Sequence, residues 1–436
     1  MTLINHQQLE LQVRPESSRA DIEAIFALLE SMGTLNFPAL ANGLFPAAVL
    51  DSNRSYTGYS CIWVRDNIHI AHAHYRVGRA GTAIRNLRTL MVYFLKHQKR
   101  FLDIIEGTAD ANVPMNRPHI RFDGNSLEEL PEKWSHAQND ALGYFLWMFC
   151  KLANEAAVSP DAEERNMLAL FARFFEAIRY WQDEDSGHWE EARKISASSI
   201  GVVVAALTEF RKFLSNAGPL CDHRGIPLTA TTLDPLILCG RTALEEILPA
   251  ECIQPDPRKQ RRYDAALLFL LYPLRLIEGP LADQILNDAI SHLEGKVGIR
   301  RYLGDSYWAP DYKQKLKPAE RTADVSDDVS RRNRLLPAVG QEAQWCIFDP
   351  IVSCIFGMKF QSTRLPEHLA KQMKYLNRSL GQITRADQTG VPAFRCPELY
   401  YLESGRYVPN DHVPLLWTQA NLMQAVKLMA DNCSRD

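Results

Sequence analysis

The sequence predicts an all-α fold, built as a single domain (residues 1–436, core about 20–430) with its function carried on loops. Two observations predict it. Apolar residues recur at helical spacing far more often than they alternate at strand spacing. The helical stretches are separated by long polar, turn-rich segments, with no linker, low-complexity run or sequence repeat to divide the chain. At 46% hydrophobic and 23% charged residues, composition lies in the globular range and permits a large core.

Residues 21–32 give the first amphipathic helix, with Ile22, Ile25, Phe26 and Leu29 on one face. A turn-rich stretch, 43–58, precedes Trp63-Val64-Arg65-Asp66-Asn67 and a helix through Tyr75; residues 82–105 give one or two more helices. Segment 106–132, rich in Pro, Asn, Asp and Gly, reads as a long loop of the kind that carries function. Helix 140–153 follows, with Leu142, Phe145, Leu146, Phe149 and Cys150 inward. The next begins at Ser159-Pro160-Asp161, where a cap, a proline and an acidic first turn coincide. After an interruption at Trp189-Glu190-Glu191, helical periodicity resumes over 198–214, 242–248, 263–278 and 280–293. Residues 301–340 read as loop, 341–357 and 366–376 as helix, 384–411 as loop, and 414–429 as the closing helix.

Composition also excludes functions. A net charge of −3 supplies no basic field for nucleic acid or an anionic membrane. No stretch approaches 18 uncharged apolar residues, and the first 15 residues lack the pattern of a secretory signal. Nine scattered cysteines without a CxxC pair fit a reducing cytoplasm better than a disulfide framework. P-loop, GxGxxG, HExxH and GxSxG motifs are missing. His69, His72 and His74 read as buried structural histidines rather than metal ligands, and the run 324–330 as a solvated loop rather than a calcium site, so neither metal nor cofactor is expected.

The most informative stretch is Gly187-His188-Trp189-Glu190-Glu191. A tryptophan wall desolvates a carboxylate and a neighbouring negative charge opposes its ionisation, which suits a general acid. Acidic pairs are also common solvated caps at helix starts, and the pentapeptide alone decides nothing. Three other segments combine aromatic with polar or charged residues: 63–66, 134–140 and Pro397-Glu398-Leu399-Tyr400-Tyr401. Sugar sites need that mixture, aromatic faces against pyranose C–H groups and forked charges on hydroxyl pairs.

These segments, with Arg301-Tyr302…Asp305-Ser306-Tyr307, Glu342-Ala343-Gln344-Trp345 and Pro414-Leu415-Leu416-Trp417, resemble glycoside hydrolase family 15 in order and spacing. Pro-Glu-Leu-Tyr-Tyr and Ala-Ser-Ser-Ile-Gly look closest to the amino-terminal domain of phosphorylase kinase α and β subunits. The resemblance implies an (α/α)6 barrel, a six-hairpin toroid, that releases glucose with inversion from the non-reducing ends of α-glucans or small α-glucosides. Carried over by position, Glu190 would be the general acid and Glu398 the general base, with Glu403 the other carboxylate of that loop. Arg65 and Asp66 would grip the terminal glucose. Trp134, Asp140, Glu191 and Arg301 would serve the binding site, and Trp63, Trp189 and Trp417 would wall it, with Trp345 in the core. His136 stands where glucoamylases tend to carry an arginine. The rival reading is a non-hydrolytic carbohydrate-binding regulator; the sequence is silent on oligomeric state.

Overall fold

A computed structural model describes residues 12–49, 58–321, 329–388 and 390–433. Most of the acidic run 324–330 and half of the turn-rich stretch 43–58 lie outside the described residues. The helices are α1 (Arg19–Ser31), α2 (Val64–Arg76), α3 (Ala80–Lys96), α4 (Lys99–Ile105), α5 (Asn139–Asn154), α6 (Ala162–Ala177), α7 (Ala197–Ala217), α8 (Ala230–Ile247), α9 (Leu268–Leu271), α10 (Gly279–Leu293), α11 (Tyr312–Lys315), α12 (Val329–Leu335), α13 (Phe348–Thr363), α14 (Pro366–Gly381) and α15 (Leu416–Cys433). Short strands are confined to connections: β1 (Ile62–Trp63), β2 (Arg121–Phe122), β3 (Leu220–Cys221), β4 (Pro227–Leu228), β5 (Gln344–Trp345), β6 (Leu399–Glu403) and β7 (Arg406–Pro409).

Burial sorts the principal helices into two shells. Residues 64–74 of α2 and 139–150 of α5 are buried without a break, and α7, α13 and α15 are covered almost as completely. By contrast α1 buries only Ile22 and Leu29, and α14 five of its 16 residues, so these present one apolar stripe and leave the rest in water. The covered helices close on themselves: α2 packs on α5, α5 on α7, α7 on α9, α9 on α13, α13 on α15, and α15 back on α2. Helices α1, α3, α6, α8, α10 and α14 lie outside this ring, each packed on an inner neighbour. The result is a six-hairpin toroid, an (α/α)6 barrel, as expected.

Several element boundaries differ from the sequence expectation, each for a local reason. The helix expected over 263–278 shrinks to a 3-10 turn and α9, because Pro273 has no N–H and keeps Tyr272 extended. In 341–357 the residues Gln344–Trp345 form β5 instead, and α13 begins at Phe348, which places Pro350 in its first turn, where proline is tolerated. Loop 384–411 contains the β6–β7 hairpin, closed by Ser404 and Gly405, both at positive φ (48° and 77°). The cap of α6 is Asp161 rather than Ser159, in a reciprocal box with Glu164. Helix α8 starts at Ala230, well before the expected 242, and accommodates Pro235 inside it.

The three histidines of α2 are buried. His69 stacks on Trp417 at 4.6 Å, His72 lies 5.3 Å from Trp147, and His74 packs against Phe37 and Phe45. Among the described residues no group of three His, Cys, Asp or Glu is arranged to hold a metal ion.

In the inner ring α5 and α7 approach closely at Gly143. A Cβ there would meet Val202 Cγ1 at 3.0 Å and the Val202–Val203 backbone at 3.3 Å. Gly143→Val is therefore expected to force the helices apart and destabilise the protein by about 1–3 kcal/mol. A thermal midpoint unchanged from wild type would show that this interface has slack.

Candidate active site

The Trp-Glu-Glu corner is a 3-10 turn, Gly187–Trp189, ended by Glu190 in left-handed backbone (φ 54°, ψ 35°). That conformation is uncommon for a non-glycine residue and is held by its surroundings. The turn ends well before α7 begins at Ala197, so Glu190 caps no helix. The twist sends the two carboxylates apart. Glu191 is fully buried between Arg261 Nη2 (2.8 Å) and Lys194 Nζ (3.0 Å). Burial opposes its ionisation, but Arg261, then Lys194 and Arg301, outweigh that and hold it well below the usual carboxylate range. Glu190 keeps 22% of its side chain accessible and lines a small pocket, a cavity of about 50 Å³.

Arg65, at the start of α2, fixes this corner. Its Nε donates to Asp140 Oδ2 (2.6 Å), Nη1 to the His188 carbonyl and Glu190 Oε1 (both 2.8 Å), and Nη2 to Gln138 Oε1 (2.6 Å) and the Gly187 carbonyl (3.1 Å). These five bonds match the five N–H groups of a guanidinium. Arg65 thereby holds Glu190 Oε1 in place, and it also lines the pocket. Asp140 is completely buried behind it, outside the pocket lining. Burial would raise its pKa, but Arg65 and His188 hold the carboxyl below its ordinary value. Asp66, the next residue, does line the pocket; burial pushes it up to about 7, opposed by Arg65 and reinforced by the charges of Glu190 and Glu398.

Glu190 has the same elevated character for the same principal reason. Burial pushes it up to about 7, and Arg65 pulls it down without cancelling the effect. Because Arg65 occupies Oε1, the proton belongs on Oε2.

Glu398 lines the same pocket, immediately before β6, and is held quite differently. Tyr59 donates its hydroxyl to Oε1 at 2.6 Å; His412 Nδ1, at 2.6 Å, and the Asn410 amide both engage Oε2. His412 lies flat against Tyr59, ring centroids 3.7 Å apart. Oε2 has its two lone pairs occupied, which leaves the remaining lone pair of Oε1 as the acceptor open to a water. Glu403, the other carboxylate of that segment, accepts from Tyr401 at the hairpin end and is not part of the lining.

Trp63, Trp189 and Trp417 line the pocket; Trp345 belongs to the core, as expected, and lines the pocket as well. Strand β5 pairs with Ile299 and β6, and that extended backbone turns the Trp345 ring inward. Arg301 also lines the pocket, clamped by Asp305 (2.6 and 2.7 Å) with its guanidinium carbon 4.8 Å from the Trp345 ring and 5.2 Å from that of Trp189. Trp134 sits one layer out, edge-on to Trp63 at 5.5 Å and covered by Arg121. His136 is buried against His119, centroids 3.7 Å apart, and burial drives it down to about 2. Sequence reasoning missed Tyr59, Asn410 and His412: Tyr59 is 339 residues from its carboxylate, and no local pattern marks any of the three. His188 lines the pocket too and bonds Tyr144 and Ser198.

The family model Glycosyl hydrolases family 15 matches residues 24–331. An uncharacterized lipoprotein, YgeQ, of Escherichia coli (strain K12) is 26% identical over 205 residues, 42% of this chain and 77% of that protein. A probable phosphorylase b kinase regulatory subunit alpha of Caenorhabditis elegans is 24% identical over 60% of this chain, which spans only 22% of that subunit's length. Among solved structures, a glycosidase variant in complex with glucose covers 95% of this chain and 97% of its own at TM-score 0.63 and 14% identity. Glucoamylase from Saccharomycopsis fibuligera covers 97% and 98% at TM-score 0.60 and 12% identity. At such identities the structural likeness concerns the fold.

Replacing Asp140 by Asn would leave a buried guanidinium without its ionic partner. A loss of about 3–5 kcal/mol is expected in urea unfolding. Glu190 should also titrate lower, since the Asp140 charge helps to hold its pKa up. A loss below about 1 kcal/mol would mean that Arg65 is held in place without that charge.

Proposed function

The chain belongs to glycosyl hydrolases family 15, and on that premise we propose that it releases glucose from the non-reducing ends of α-glucans or small α-glucosides, with inversion at the anomeric carbon. One observation carries the reading: two carboxylates in contrasting environments, Glu190 and Glu398, line a single aromatic-walled pocket. In this mechanism Glu190 Oε2–H gives its proton to the glycosidic oxygen as the bond to the anomeric carbon breaks. Glu398 Oε1 takes a proton from a water that attacks the opposite face, and an inverting pair stands about 6.5–9.5 Å apart to admit it. Asp66 accepts from hydroxyls of the terminal sugar, and Trp63, Trp189, Trp345 and Trp417 pack its C–H faces. Glu191 and Asp140 act through Arg261 and Arg65 rather than on the sugar itself. Glucose bound to a structural neighbour supports a glucoside as the ligand class. We assign the whole chain to one catalytic domain, and nine scattered cysteines without a CxxC pair support a reducing cytoplasm as its compartment.

A second reading, a carbohydrate-binding regulator without hydrolysis, is favoured by the phosphorylase kinase relatives. Glucose release from a panel of α-glucosides separates the two. Wild type should release β-glucose, seen by proton NMR before mutarotation, and Glu190→Gln or Glu398→Gln should lower kcat by at least about 10²-fold. Sugar binding with no release from any glucoside would instead establish the regulator.

The acid must carry its proton to act. With Glu190 pushed up to about 7, the protonated fraction falls as pH rises through neutrality, so activity should decline on the alkaline side of about pH 7. A kcat/KM profile flat from pH 6 to 9 would remove Glu190 from that role.

A further inference from the structure

A second cavity, of about 360 Å³, lies beside the β6–β7 hairpin and is lined by Lys296, Arg385 and Arg406 with no carboxylate in its lining. Arg385 bonds Asp387, whereas Lys296 and Arg406 make no ion pair with any described residue. Like charges gathered in a concave site repel one another and focus a positive potential, and an entering anion relieves that cost.

The remaining lining is built for more than a bare anion. Tyr400 and Tyr407 supply aromatic surface. Tyr407 accepts a bond from Gln344 Nε2 at 2.6 Å, and no described residue takes the Tyr407 proton. Gln382 is 3% exposed; its Nε2 donates to the Val297 carbonyl (2.7 Å) and Asp349 (2.6 Å). Those bonds fix the amide's orientation and leave its buried Oε1 without a donor. A buried acceptor of that kind calls for a hydroxyl or amine. We propose that this cavity binds a phosphate monoester carried on a sugar or nucleoside ring: Lys296 and the guanidinium groups of Arg385 and Arg406 take the phosphate, the tyrosines face the ring, and Gln382 accepts from one of its donors. The site is separate from the Glu190–Glu398 pocket and shares no lining residue with it. The two are nonetheless adjacent along the chain, since Gln344 holds Tyr407 here while Trp345 turns into the other pocket.

Calorimetric titration of the full chain tests this, with glucose 6-phosphate, AMP, inorganic phosphate and glucose as separate titrants. At least one of the two esters should bind at least tenfold more tightly than inorganic phosphate, and which one does so identifies the ring. The double substitution Lys296→Ala with Arg406→Ala should weaken that ester at least tenfold at an unchanged melting midpoint, while Glu190→Gln should leave it unaffected. The proposal is overturned if neither ester binds, if inorganic phosphate binds as tightly as both, or if ester binding survives the double substitution.

Discussion

Arg65 is the joint on which the candidate site depends. One guanidinium ties the first turn of α2 to the start of α5 through Asp140 and Gln138, and to the left-handed corner through two carbonyls and Glu190. Its planar fork gives five directed bonds, which a lysine ammonium does not reproduce. The desolvation cost of burying it is met by a fully buried carboxylate and a set of backbone dipoles, the arrangement in which a buried charge is tolerated. With the corner pinned in this way, Glu190 is held in strained backbone and in partial isolation from water, and its desolvated setting favours the protonated form.

The second carboxylate shows how differently two chemically identical groups are held. Glu190 has one cationic partner and a desolvated setting. Glu398 is gripped at both oxygens by a phenol, an amide and an imidazole, none of them a permanent charge. Paired carboxylates take acid and base roles when their surroundings differ in this manner. Residues at or just before the starts of α2, α13 and α15 reach the pocket, and Asp264, ahead of α9, holds the Trp189 indole at 3.0 Å. The inner helices therefore direct their N-terminal ends toward one mouth of the ring. A site assembled there draws its side chains from distant parts of the chain while resting on a rigid packed wall.

Relatives in the phosphorylase kinase subunits match only a fifth or so of those long chains, and the likeness to solved glycosidases concerns the fold. Membership of the family therefore fixes the scaffold, while chemistry rests on the site. There the full engagement of Arg65 and the threefold clasp on Glu398 are the features that any account of activity or of its loss must explain.

The sequence by itself determined the helical class, the order of most principal helices and the segments that meet at the pocket. Helical periodicity records which face must be buried, and motifs such as Trp-Glu-Glu and Pro-Glu-Leu-Tyr-Tyr are contiguous. Only the tertiary structure decided what each residue does there. Neighbouring carboxylates Glu190 and Glu191 have the same chemistry, and one left-handed backbone turn sends the first to a cavity and the second to a pair of buried cations. Trp345 lies in the core, as its sequence suggests, and strand pairing of β5 also brings it to the pocket wall. Tyr59 and His412 reach Glu398 from separate loops, and contacts between loops depend on how the ring closes, which no local pattern encodes.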